Sequence, residues 1–120
     1  MTVEITSVTS AGDLNRERVV MKASAKGNIG TYALFQAISS DDGLVLSGNI
    51  PYAYWFADKD INRGDFIVLY TKQGTQSEKK NKDGTTSHFF YWGLSSPLWT
   101  SGTTPVLLSA PDWQFGTPIK

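Results

Sequence analysis

The sequence predicts an all-β fold: one immunoglobulin-like antiparallel β-sandwich of about seven strands, filling residues 1–120 as a single domain. Three observations predict it. Short apolar runs recur along the chain, each bounded by Gly, Pro, Asn or Asp. Several runs alternate apolar and polar residues, as a strand with one buried face does. No stretch carries the 3.6-residue apolar period of an amphipathic helix.

The elements follow in order. Val3-Glu4-Ile5-Thr6 alternates and reads as a first strand, and Ser10-Ala11-Gly12-Asp13 turns the chain. Across residues 18–25, Val19, Met21, Ala23 and Ala25 share one face, while Val20, Lys22 and Ser24 share the other. Lys26 to Gly30 is a turn with two glycines. The run TYALFQAI, residues 31–38, is apolar on both faces; a short helix is the alternative, but its length and bounding glycines favour a strand. A turn at residues 39–43 leads to the brief run Leu44-Val45-Leu46. Residues 49–60 carry Tyr52, Tyr54, Trp55 and Phe56, and Pro51 argues for a loop rather than a central strand. Asp65 to Thr71 is β-branched and aromatic on both faces, as a central strand should be. The polar stretch at about residues 73–87 buries too little apolar surface to pack and is expected to be a mobile loop. His88 to Leu94 forms the next strand, Thr104 to Ser109 the last, and Trp113 to Phe115 a short edge piece.

Composition sets further bounds. Lys plus Arg equals Asp plus Glu, so the net charge is zero and no long-range field gathers nucleic acid or an anionic membrane. The absence of cysteine excludes disulfides, thiolate catalysis and Cys-based zinc sites. No apolar run is long enough for a membrane span. The opening MTVEITSV lacks the basic and apolar regions of a signal peptide, which favours a cytoplasmic location without fixing the compartment.

Two stretches carry a family resemblance. Ile61-Asn62-Arg63-Gly64-Asp65-Phe66-Ile67-Val68-Leu69 is similar to the Gly turn and apolar strand of the lamin-tail domain. Leu98-Trp99-Thr100-Ser101-Gly102-Thr103-Thr104-Pro105-Val106-Leu107-Leu108 is similar to that family's Leu-Trp, polar-Gly turn and final strand. The chain thus resembles lamin-tail domains, or a small bacterial family sharing their sandwich. The resemblance implies an immunoglobulin-like fold and a non-catalytic binding or scaffolding role, and carries over no catalytic residues.

The candidate sites are weighed on their own chemistry. His88 is the only histidine and opens an apolar strand, with no Gly-x-Ser-x-Gly elbow in the chain, so no catalytic residues are expected. Asp41-Asp42 reads as turn chemistry, and Glu4 and Glu17 are expected to face water. Asp58, Asp60 and Asp65 are weak metal candidates: Asp58-Lys59-Asp60-Ile61-Asn62 opens like a calcium loop, but Arg63 stands where the sharp turn wants glycine. No metal or other cofactor is therefore expected. Lys72, Lys79, Lys80 and Lys82 concentrate charge, yet no aromatic interleaves them as a stacking platform, which disfavours nucleic acid. Arg63-Gly64-Asp65, which could be an adhesion signal, reads better as the turn before a strand.

The aromatics point furthest. Tyr52, Tyr54, Trp55 and Trp99 lie in loops, where they either plug the sandwich ends or form a binding patch. The expected function is a non-catalytic interaction module, its partner a protein or a second copy rather than a sugar. The alternatives are a small calcium-type metal-dependent enzyme and a carbohydrate- or nucleic-acid-binding domain.

Overall fold

Alternation of apolar side chains builds the first sheet. In β2 (Arg18–Ala23), Val19, Met21 and Ala23 turn inward and are fully buried, while Arg18, Val20 and Lys22 face out. The computed structural model describes residues 1–39, 45–46, 50 and 52–120. β1 (Val3–Thr9) pairs antiparallel with β2, with a bulge between Ile5 and Ser7. β2 pairs antiparallel with β8 (Phe66–Tyr70), β8 pairs with β10 (Thr86–Tyr91), and β9 (Ser77–Lys80) closes the edge, giving the order β1-β2-β8-β10-β9.

The second sheet centres on β4 (Tyr32–Ser39). β11 (Thr103–Ser109) pairs along one side of it. β5 (Val45–Leu46) and β6 (Tyr52–Trp55) pair in succession along the other side. A two-residue ribbon of β3 (Gly27–Asn28) and β7 (Asp60–Ile61) bridges one end. The inward faces meet in one core: Val3, Val19, Met21, Ile67, Leu69 and Phe90 from the first sheet, Tyr32 and Leu34 from the second, closed by Ile29, Phe56, Ile61, Leu98 and Trp99. Pro105 lies in β11, an edge strand, where a missing N–H is tolerated.

The all-β sandwich expectation holds. One pairing departs from an all-antiparallel arrangement: β8 and β10 run parallel, with His88 beside Ile67 and Phe90 beside Leu69. The reason lies in the stretch expected to be a mobile loop. Residues 77–80 form β9, which pairs antiparallel with Thr86–Phe89, and the hairpin turn places Gly84 at φ 88°. The chain leaves β8, crosses to the sheet edge as β9, and returns as β10 between the two. Ladder hydrogen bonds order this hairpin although every β9 side chain is exposed. Gly74 lets the crossing lie flat on Tyr91, whose ring a Cβ there would overlap.

Three other expectations are revised. Tyr52–Trp55 is a strand, not a loop, because its backbone completes the β4 ladder. Trp113 to Phe115 is not a strand; it follows Ala110, whose N–H donates to the Thr31 carbonyl at 2.8 Å. Glu17 does not face water but is fully buried. Asp41-Asp42 lies outside the described residues.

Candidate functional site

Register separates the aromatic candidates. Across β4 and β6, Leu34 stands opposite Tyr54 and Ala33 opposite Trp55, so Tyr54 shares the inward side and Trp55 the outward side. Tyr54 packs edge-on to Phe56 with centroids 5.0 Å apart, and Phe56 packs the same way on Phe90 at 5.1 Å. Trp92 joins Tyr54 to Trp99. Trp99 is 4% exposed. Tyr54 and Trp99 therefore plug the sandwich, and burial raises the Tyr54 phenol above its ordinary pKa. Tyr52, 43% exposed, borders a hollow with Gln36 and Leu98 at the open end of the sandwich.

Trp55 belongs to a different surface. Its outward neighbours by register are Ala33, Ala53 and Phe35, and β11 adds Val106 and Leu108 to the same face. Trp55 is 56% exposed and Leu108 44%. Trp113 stands edge-on to Trp55 with centroids 4.7 Å apart. Between them runs a groove of about 330 Å³ lined by Ala33, Phe35, Ala53, Trp55, Ala110 and Trp113. The Trp55 indole N–H donates to the Gly30 carbonyl at 2.9 Å, which fixes the ring and leaves its apolar body outward. Among the described residues that register places on this face, none is charged.

The titratable candidates are held inside. Asp65 is 2% exposed. Its Oδ1 accepts from the Thr86 N–H at 3.0 Å, and its Oδ2 accepts from the Asn62 N–H at 2.9 Å and contacts His88 Nε2 at 2.9 Å. Burial pushes this carboxyl upward, but the hydrogen bonds from His88, Asn62 and Thr86, with the attraction of His88, outweigh it and hold the pKa below the usual Asp value. His88 is 4% exposed, and its Nδ1 is buried with no hydrogen-bond partner among the described residues.

Asp58 and Asp60 are exposed, and Asp58 accepts from the Asn28 amide at 3.4 Å. Among the described residues, no three His, Asp or Glu side chains converge as a metal site, so Asp58, Asp60 and Asp65 are not brought together. Arg63-Gly64-Asp65 is the turn the sequence suggests. Gly64 has φ 88° and the Asp65 side chain points into the protein, out of reach of an adhesion receptor.

A second buried carboxylate gave no sequence signal. Glu17 Oε1 accepts from the Gly12 N–H at 2.9 Å and the Trp99 N–H at 3.3 Å. Its Oε2 accepts from the Leu98 N–H at 2.8 Å and from the Thr71 hydroxyl. The group ties three segments together and is fully buried. Among the described residues, no helix is long and apolar enough to cross a membrane. Compared with known protein families and with curated proteins, the chain matches none.

Proposed function

We propose that this chain is a non-catalytic interaction module, of the immunoglobulin-like kind that its lamin-tail-like motifs suggest, and that the outer face of the β4 sheet docks a second copy of the chain. The observation that carries this reading is the apolar face beside Trp55, on which the described residues placed by register are uncharged, with Asp58 only at its border and with Trp55 and Leu108 both widely exposed. A face whose charge is confined to its border does little to repel its own copy, and a two-fold contact places one patch against the same patch. Trp55 has the features of an anchor: a large ring, fixed by one hydrogen bond, at the border of a groove. The burial of His88 and Asp65, each bonded to the other, supports a role without catalysis.

Sedimentation velocity over a concentration series tests the proposal. The expected result is a monomer–dimer equilibrium. Trp55→Ala should weaken it roughly 30-fold, the effect of losing about 2 kcal/mol at an anchor, with the melting midpoint nearly unchanged. A wild-type chain that stays monomeric at high concentration would sink the self-docking reading.

A further inference from the structure

The first sheet has an outer face of quite different chemistry. Along β8, Ile67 and Leu69 are buried, so Phe66 and Tyr70 face out, and the parallel register sets Tyr91 of β10 beside Tyr70. Phe89 stands beside Val68 on the same side. All four rings are partly open to solvent. The neighbouring strands bring cations to them. Arg18 of β2 lies opposite Tyr70, with its guanidinium 5.8 Å from the ring centre, and Lys22 lies opposite Phe66, with its ammonium 5.5 Å away. Lys72, just past β8, approaches Tyr70 to 5.1 Å. Lys79 of β9 faces out opposite Ser87.

We propose that this face binds single-stranded nucleic acid, its bases stacking at Phe66, Tyr70 and Phe89 and its phosphates drawn to Arg18, Lys22 and Lys72. Sequence order hides the arrangement, because the aromatics and cations alternate across strands rather than along one. Arg18 and Lys22 lie about 13 Å apart along β2, a span matched by Tyr70 and Phe66 on β8, so two ring–cation pairs stand side by side along the strand direction. A cation resting on a ring is a ready exchange partner: a phosphate draws the ammonium or guanidinium aside and a base takes the ring face. Among the described residues, Glu4, opposite Lys22, and Asp83, whose carboxylate feels Lys22, bring negative charge to one border of the face, and Arg63 lines the same hollow as Glu4. The chain's zero net charge therefore conceals a cationic surface.

Fluorescence anisotropy with a labelled oligothymidylate tests this. Binding is expected at low salt, and with three phosphate contacts the affinity should fall roughly 20-fold between about 50 and about 200 mM salt. The double variant R18Q/K22Q should reduce both the affinity and the salt dependence. Phe89→Leu should weaken binding roughly fivefold or more if its ring stacks a base. Melting curves confirm that each variant is folded; should Phe89→Leu unfold, Lys22→Gln at its exposed position and competition by a duplex of the same length supply the decision. No binding at low salt overturns the proposal. Heparin or duplex binding as tight as the single strand, with Phe89→Leu without effect, also overturns it, since the face would then attract any polyanion by charge alone.

Discussion

Glu17 has no counter-ion among the described residues; three backbone amides and the Thr71 hydroxyl take that place. Such a group is harmless while every lone pair is used and expensive when its donors are orphaned. Glu17→Ala strands those donors in the interior and should cost about 3 kcal/mol or more, lowering the melting midpoint on the order of 10 °C. A shift of only a degree or two would show that water replaces the carboxylate. Gly64 poses a backbone question instead. Its φ of 88° and the Thr85 methyl, 3.0 Å from where a Cβ would sit, both resist a side chain. Gly64→Val should therefore lower the midpoint clearly, whereas Gly12→Ala, equally at positive φ but with open space around it, separates the conformational part from the clash.

At the scale of elements, the aromatic cluster divides by strand parity. Trp99→Ala removes a ring that closes the core beside Trp92, and should cost about 3–5 kcal/mol, unlike Trp55→Ala. Equal losses for both would mean that Trp55 is as structural as Trp99. β2 was legible because its apolar alternation reports burial directly, and β4, β8 and β11 because short apolar runs stand between turn residues. β9 was not: Ser77-Glu78-Lys79-Lys80 buries nothing, and its order comes from a ladder that composition does not record. Trp55 as a surface candidate was readable, but its difference from Tyr54 and Trp99 needed the register with β4. Glu17 was unreadable because its partners lie up to 82 residues away. The ring–cation face is hidden in the sequence for a similar reason, since its rings and cations alternate across strands and not along the chain.

Among the described residues, the molecule presents two outer faces of opposite character, one mainly apolar, the other aromatic and cationic, with the buried carboxylates of Glu17 and Asp65 inside. The interior sets the acid limit of stability. Asp65 titrates below an unfolded Asp, near 3.9, so its contribution is complete above that value and is lost as pH falls through the lower, folded value. The melting midpoint should therefore decline as the pH drops below about 4, and Asp65→Asn should flatten that decline. An identical acid profile for the variant would assign acid unfolding to other groups. The Glu17 clip adds a constraint of timing. Its donors at Gly12 and Thr71 are joined by the amides of Leu98 and Trp99, so the carboxylate stays short of partners until the first and last fifths of the chain meet. β10 must also settle between two strands that precede it. Closures of such long sequence separation are slow steps. A ribosome must release most of this polypeptide before its earliest segment can find a final resting place, and until then the half-made sheet leaves apolar surface and strand edges uncovered.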